Sequence, residues 1–144
     1  MSRPTRSQSL SKRLTVLVLL AALSTIVSGC ASAEAAGTSV EIGIRYSRFH
    51  PANVTVPRGR PVTFVIRNDD PIDHEWIIGS EAVHEAHRTG SEAHHDGRPT
   101  EVTVPALSTR ETTVTLAEAG SLEFLCHLPG HEAYGMSGTL TVEG

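Results

Sequence analysis

Short runs of alternating apolar and polar residues dominate the chain from residue 39 onward. Val40, Ile42 and Ile44 share one side of the first run, and Val54 and Val56 share one side of the second. Alternation with a period of two predicts half-buried strands. The predicted strands are Ser39–Ile44, Asn53–Val56, Pro61–Arg67, Glu75–Ile78, Glu101–Val104, Glu111–Leu116, Ser121–Leu125 and Gly138–Val142. About eight short strands predict an all-β fold, a Greek-key antiparallel β-sandwich.

The N-terminal segment has a different pattern. Four basic residues precede the apolar run Leu14–Val27. As a helix this run would be about 21 Å long, which is short for a bilayer core of about 30 Å. A basic start followed by a short apolar run predicts a secretory signal peptide. A membrane-spanning anchor is the alternative, and the length of the run argues against it.

The apolar run ends in Val27-Ser-Gly-Cys30, which resembles a bacterial lipobox. The resemblance implies a diacylglyceryl group on the Cys30 thiol, and two acyl chains hold a protein stably at a membrane. The expected organisation is a signal peptide at 1–29, a lipidated Cys30 with a flexible tether to residue 38, and a domain at 39–144. The alternative is that Cys30 is an ordinary residue removed with the signal peptide. The expected location is the extracytoplasmic face of a bacterial membrane.

Removal of residues 1–29 changes the charge and the cysteine count. It shifts the formal charge from -4 to -8 and removes the chain's one lysine. A surface without a basic stripe argues against a nucleic-acid partner. Beyond Cys30, Cys126 is the remaining cysteine. An unpaired thiol in an oxidising compartment indicates that something occupies it, and a metal ion is one such occupant.

Cys126, His131 and Met136 have the spacing C-x4-H-x4-M between the end of one predicted strand and the start of the next. Thiolate, imidazole and a weak thioether belong to the donor set of a blue-copper centre, which also needs a second histidine. His74 is the best candidate because it begins a predicted strand directly after a turn. Zinc is an alternative, although zinc sites rarely use methionine.

Four segments are similar to the cupredoxins, the plastocyanin- and azurin-like copper proteins. They are Phe49–Gly59, Phe64–Asn68, Asp73–Trp76 and the Cys126–Met136 loop with the Gly138-Thr-Leu that follows it. The resemblance implies one copper ion with His74, Cys126 and His131 as equatorial ligands and Met136 as the axial ligand. Many cupredoxins have an asparagine after the first histidine ligand, where it ties the two ligand loops together. Here Glu75 stands at that position, and Asn68 is a possible substitute.

Two copper-protein classes fit less well. Multicopper oxidases have histidines on both sides of the cysteine, whereas Leu125 precedes Cys126 here. A dinuclear CuA centre needs a second cysteine four residues on, where this chain has Gly130. His127 follows Cys126 and is expected to point away from the metal, because successive residues of an extended chain face opposite ways. We therefore expect a single copper ion and no enzymatic activity.

Residues 79–99 interrupt the strand pattern and carry four histidines, namely His84, His87, His94 and His95. His84 and His87 are three residues apart, so one helical turn would place them on one face. Together the four could form a second, weaker copper or zinc site. The alternative is a mobile polar loop whose histidines only titrate.

The leading functional hypothesis is one-electron transfer with a redox partner protein at the membrane surface. In this hypothesis all four copper ligands are protein atoms, and His131, on a loop, is the solvent-facing ligand through which electrons leave. The alternative is extracytoplasmic copper handling, meaning buffering, delivery or resistance, which the histidine-rich insertion suggests. The sequence leaves the oligomeric state open.

Overall fold

A computed structural model describes residues 37–90, 95 and 97–144. In chain order its elements are β1 (Thr38–Ile44), β2 (Phe49–His50), β3 (Asn53–Pro57), β4 (Pro61–Asn68), β5 (His74–Gly79), α1 (Glu81–Thr89), β6 (Glu101–Val104), β7 (Thr109–Thr115), β8 (Gly120–Leu125) and β9 (Ser137–Glu143). The signal peptide, Cys30, most of the tether and His94 lie outside the described residues. Within the described ranges, no helix is long and apolar enough to cross a membrane.

The strands form two sheets, which confirms the predicted β-sandwich. One sheet has the order β2-β1-β4-β7 and the other β3-β9-β8-β5-β6. Two pairings, β1 with β4 and β3 with β9, are parallel, where the sequence pattern had predicted only antiparallel neighbours. The reason lies in the connections: β3 crosses to the second sheet, and β4 returns to the first sheet beside β1 in the same direction.

Aromatic side chains join the two sheets at the centre of the sandwich. Phe64 on β4 lies 4.7 Å from Trp76 on β5, measured between ring centroids. Phe49 on β2 packs edge-on against Phe124 on β8 at 5.2 Å. The predicted alternation is present, because every second residue of β4 from Val62 to Asn68 is buried. Burial of these side chains is the main favourable contribution to folding.

The interruption at residues 79–99 contains the helix α1 rather than only a loop. Glu81 in its first turn and Arg88 in its last turn are favourable at the two ends of the helix dipole. Gly79 ends β5 at a point where any Cβ atom would collide with the side chain of Val83. The helix therefore packs closely on the end of β5, and His84 is fully buried beneath it.

Candidate metal centre

Three of the four predicted ligands, His74, Cys126 and His131, come together where three parts of the sandwich meet. His74 is the first residue of β5, Cys126 directly follows β8, and the Cys126–Met136 loop leads into β9. Because β8 pairs with both β5 and β9, the ends of these strands lie side by side. Two neighbouring strand ends thus supply His74 and Cys126, and the loop supplies His131.

Two imidazole nitrogens and one sulfur converge at this point. His131 Nδ1 lies 3.2 Å from His74 Nδ1 and 3.2 Å from Cys126 Sγ. All three donor atoms lie within 4.8 Å of one another. Two imidazoles and a thiolate in such close proximity match the trigonal donor set of a blue-copper centre. The donors present therefore fit the metal that the sequence motif implies.

Asp70 fixes the orientation of the His74 ring. Its Oδ2 lies 3.0 Å from His74 Nε2, and both side chains are buried. A carboxylate only accepts hydrogen bonds, so Nε2 carries the proton and Nδ1 keeps its lone pair for a metal. Burial and the neighbouring His131 lower the pKa of His74 more than Asp70 raises it. The neutral imidazole is the form that binds metals.

Asp70 is itself held as a carboxylate. Burial alone would raise its pKa, but hydrogen bonds from the amides of Ser47 and Tyr46 and from His74 lower it overall. The two amides donate at 2.7 Å each. Residues 46 and 47 both have positive φ, at 54° and 52°, which aims both N–H groups at one carboxylate. This turn therefore holds Asp70 against His74.

Cys126 is fully buried, and burial raises the pKa of its thiol to about 11, against a smaller lowering by the amides of Glu75 and Leu128. The Glu75 amide donates to Sγ at 3.3 Å. Without a metal the thiol is therefore protonated at neutral pH. Since a metal binds the thiolate, its binding releases this proton.

Backbone hydrogen bonds close the Cys126–Met136 loop. The amide of Met136 donates to the His131 carbonyl at 3.0 Å, and the amide of Cys126 donates to the Met136 carbonyl at 3.3 Å. Gly130 and Gly135 make turns with φ of 86° and 84°, a region that glycine enters without strain. The Met136 side chain is fully buried, whereas His131 is only half-buried. The loop therefore places His131 between the other two donors and solvent.

Glu75 ties the two ligand segments together at the position where many cupredoxins have asparagine. Its Oε2 accepts a hydrogen bond from the amide of His127 at 3.2 Å, while its own amide donates to Cys126. Asn68 acts elsewhere. Its side-chain amide donates to the carbonyls of Ile72, Val104 and Pro105, and its carbonyl oxygen accepts from the Asp70 amide, so that it braces the turn before β5.

The three histidines of the insertion that the structure describes, His84, His87 and His95, do not form one group of ligands. His84 Nδ1 lies 3.0 Å from Nε2 of His127, whose ring is therefore directed at the helix and not at the metal centre. His87 and His95 instead group with Glu101, with their donor atoms within 4.8 Å of one another. Of the four histidines grouped from the sequence, the fold therefore places His87 and His95 with Glu101 and directs His84 to His127, while His94 lies outside the described residues.

Sequence reasoning missed Asp70 and Glu101. Asp70 had a weak signal, since it lies in an acidic turn four residues before His74. Glu101 had a different one, because it is an acidic residue at the start of a strand whose four residues are all buried. Neither signal identifies a partner, since contact with a ring from another segment depends on the tertiary fold.

Comparison with known families agrees with this geometry. The family model described as Cupredoxin-like domain matches residues 14–142. Among curated proteins, the copper-resistant cuproprotein CopI of Rubrivivax gelatinosus is 40% identical over 98 residues, which cover 66% of this chain and 59% of the relative. CopI of Pseudomonas aeruginosa is 29% identical over 146 residues, covering 78% of this chain and 80% of the relative. The chain thus spans less than two thirds of the first relative.

A solved structure shows the same fold. Auracyanin A, a "blue" copper protein of Chloroflexus aurantiacus, has a TM-score of 0.58 and 27% sequence identity, and the match covers 74% of this chain and 99% of that protein. The resemblance inferred from the Cys126–Met136 loop is therefore confirmed at the level of the whole domain.

Proposed function

The chain belongs to the cupredoxin-like domain family, and on this premise we propose that it binds one copper ion and serves in copper handling outside the cytoplasm. The proposed ligands are His74, Cys126, His131 and Met136. The convergence of two imidazole nitrogens and one thiol within 4.8 Å is the observation that carries the proposal. Nitrogen and sulfur donors of this kind suit copper in both of its common oxidation states.

Each proposed ligand has a distinct part. Asp70 keeps the Nδ1 lone pair of His74 directed at the centre, and Cys126 gives up its proton to become a thiolate. His131 is the half-buried donor, so it is the one through which an ion enters or leaves. Met136 supplies a weak thioether from a buried side chain. Copper held there would supply one-electron redox chemistry, and with protein atoms in every ligand position we assign no substrate and no enzymatic activity.

Copper handling is preferred to electron transfer because two curated relatives are named copper-resistant cuproproteins. In this role the copper is cargo, and the half-buried His131 on a loop favours exchange of the ion with solvent or an acceptor. The negative charge of the mature chain, -8 by formal count, also attracts cations.

Electron transfer is the second candidate, and a specific observation favours it. His74 and Cys126 are fully buried. His74 donates a hydrogen bond to Asp70, and Cys126 accepts one from the Glu75 amide, while half-buried His131 lies nearer the surface. A braced centre changes little in geometry between oxidation states, and a half-buried ligand offers a route to a redox partner protein at the membrane surface.

Lipidation of Cys30 and location on the extracytoplasmic face of a bacterial membrane belong to the same proposal. They are supported by the basic start, the short apolar run and the Ser28-Gly29-Cys30 sequence. Replacement of Cys30 by serine is expected to release the protein from washed membranes. Retention of the Cys30→Ser protein on washed membranes would contradict a lipid anchor at Cys30.

Copper transfer and redox cycling can be measured on the same copper-loaded protein. Copper handling predicts loss of copper to an apo-acceptor within minutes, and growth on high copper that depends on Cys126. Electron transfer predicts rapid reversible reduction in stopped flow with copper retained. Full retention of copper against the acceptor, together with unchanged copper tolerance of a Cys126→Ser strain, would contradict the handling role.

A further inference from the structure

A second group of metal-ligating side chains lies on the far side of β5 from the Cys126 centre. It consists of His87 on α1, His95 in the segment that follows, and Glu101 at the start of β6. Glu101 Oε2 is 3.6 Å from His87 Nε2 and 3.7 Å from His95 Nδ1. Donors bound at about 2.0–2.2 Å to one tetrahedral ion lie roughly 3.3–3.6 Å apart. The observed spacing is close to that of a single bound ion.

His87 presents a lone pair to this group. Its Nδ1 donates to the backbone carbonyl of Val83, one helical turn earlier, at 2.8 Å. A nitrogen that donates to a carbonyl carries the ring proton, so Nε2 is left as the basic atom. That atom faces Glu101. Ligating histidines in proteins are commonly oriented in this way by a carbonyl on the second nitrogen.

His95 is oriented by a carboxylate instead. Its Nε2 lies 3.5 Å from Oε1 of Glu75, and its Nδ1 faces Glu101. Two backbone hydrogen bonds, from its amide to Thr103 Oγ1 at 2.8 Å and from the Thr103 amide to its carbonyl at 3.0 Å, hold it against β6. A carboxylate behind a histidine is the arrangement found at many metal sites, where it raises the basicity of the ligand nitrogen.

The charges also suit a cation. Glu75 and Glu101 are both buried, at 3% and 6% exposure. Glu101 faces both imidazoles, and Glu75 faces that of His95. Arg98 pairs with Oε1 of Glu101 at 2.8 Å, which leaves Oε2 directed at the histidines. Burying two carboxylates is costly without enough opposite charge nearby. Arg98 supplies one positive charge, and a divalent ion between Glu101 and the imidazoles would add to it.

The helix that carries His87 is fixed in place from outside the group. Arg88 makes a forked ion pair with Glu132 of the Cys126–Met136 loop, at 2.8 and 3.1 Å. His84, on the buried side of α1, contacts His127. The His87 ring also stacks on His127, with an interplanar angle of 18°. The donor atoms are therefore held by packed elements, which reduces the cost of ordering them on binding.

We propose that His87, His95 and Glu101 form a second metal site that takes a divalent first-row transition ion, Cu(II) or Zn(II), with water completing its coordination. The absence of sulfur in the group disfavours Cu(I), and among divalent ions the Irving–Williams order favours Cu(II) over Zn(II). The site goes beyond the proposed function, since it shares no ligand with the Cys126 centre and does not depend on it.

Metal stoichiometry by equilibrium dialysis against Cu(II), and separately Zn(II), tests the site on the purified chain. In a Cys126→Ser/His131→Ala variant, which disables the first centre, one equivalent is expected to bind. The Cu(II) form should show an EPR spectrum of nitrogen and oxygen ligation without a thiolate band. Addition of His87→Ala and Glu101→Gln to that variant should abolish the equivalent. Binding of Zn(II) without binding of Cu(II) would overturn the expected preference for Cu(II). Stoichiometric binding of neither ion would overturn the site itself.

Two further variants serve as controls for folding and for the location of the second ion. Glu101→Gln with the first centre intact should retain the thiolate-to-copper band, which reports a folded sandwich, and lose only the second equivalent. His50→Ala, which removes an exposed histidine on β2, should bind both equivalents. A second equivalent that survives His87→Ala and Glu101→Gln but disappears in His50→Ala would place the ion elsewhere and contradict the proposal. Absence of the thiolate-to-copper band from the copper-loaded wild-type protein would instead contradict the copper centre of the proposed function.

Discussion

Two candidate metal sites lie on either side of Glu75: the Cys126 centre, and the His87 cluster formed by His87, His95 and Glu101. They differ in how the chain supplies their donors. The first takes Cys126 and His131 from one short loop and adds a single distant histidine, His74. The second takes one donor from a helix, one from a connecting segment and one from a strand. A compact, sulfur-containing motif is visible in a sequence, whereas dispersed nitrogen and oxygen donors become a site only when the fold brings them together.

Glu75 is the residue that both regions share. Its amide donates to Cys126 Sγ, and its carboxylate contacts the His127 amide with one oxygen and His95 with the other. In many cupredoxins an asparagine at this position ties the ligand loops. A glutamate performs the same tie and has a second oxygen to orient a histidine, so one substitution serves two regions.

The largest expected difference between the regions follows from Cys126→Ser. The thiolate-to-copper absorption band should disappear completely, because no other described thiol lies at the centre. The His87 cluster contains no sulfur and should keep its metal. Visible absorption and metal analysis of the same sample check both statements. A band that survives the substitution would remove Cys126 from the ligand set.

Asp70→Asn should weaken copper binding at the first centre by about 10- to 100-fold, the usual effect of removing a carboxylate behind a ligating histidine. The amide can no longer enforce the Nε2–H form of His74. Competition titration with a copper chelator measures the change. Asp73→Asn is the matched control, since its Oδ1 accepts a hydrogen bond from the Ala106 amide rather than from an imidazole. Equal losses in the two variants would contradict the orienting role of Asp70.

Copper binding at the first centre should release about one proton at neutral pH. The pKa of the Cys126 thiol is raised to about 11, so the metal-free folded protein holds this proton at every pH below that value. Affinity should therefore rise with pH, by about tenfold per unit from this group. Calorimetry in buffers of different ionisation enthalpy counts the protons. Release of none would show that the metal-free thiol is already ionised.

Glu75→Gln should produce the smallest effect, and one that differs between the regions. At the His87 cluster, metal affinity should fall by about tenfold because His95 loses its carboxylate partner. At the first centre the change should be smaller, since the amide that contacts Cys126 Sγ belongs to the backbone. Glu123→Gln is the control, because the Glu123 side chain on β8 is exposed. Loss of the thiolate-to-copper band in Glu75→Gln, with metal still bound at the His87 cluster, would contradict the expectation that Glu75 matters more to the second site than to the first.

Much of the fold was predictable because alternation records which face of a strand is buried. Residues 39–44 and 61–67 have that pattern and form β1 and β4 within a residue or two. The two-residue β2 is too short to show a period, and the parallel pairings depend on crossings between sheets. Helix α1 lies in a segment rich in histidine and glutamate, whose burial of His84 depends on the sheet beneath it.

The candidate site was predictable to the extent that its donors are local. Cys126, His131 and Met136 share one loop, and His74 was reached through family resemblance. Asp70 and Glu101 act on rings from other segments, so only tertiary structure shows their part. Their burial beside imidazoles, which Glu75 shares, is what distinguishes them from the other acidic residues that the structure describes.

The most direct test of the copper centre is the absorption and EPR spectrum of the protein loaded with one equivalent of Cu(II). The proposed ligand set predicts an intense visible thiolate-to-copper band, with copper hyperfine splitting narrower than that of ordinary nitrogen and oxygen ligation. A spectrum of ordinary ligation without a thiolate band would contradict the assignment of His74, Cys126 and His131 as the ligands of one copper ion.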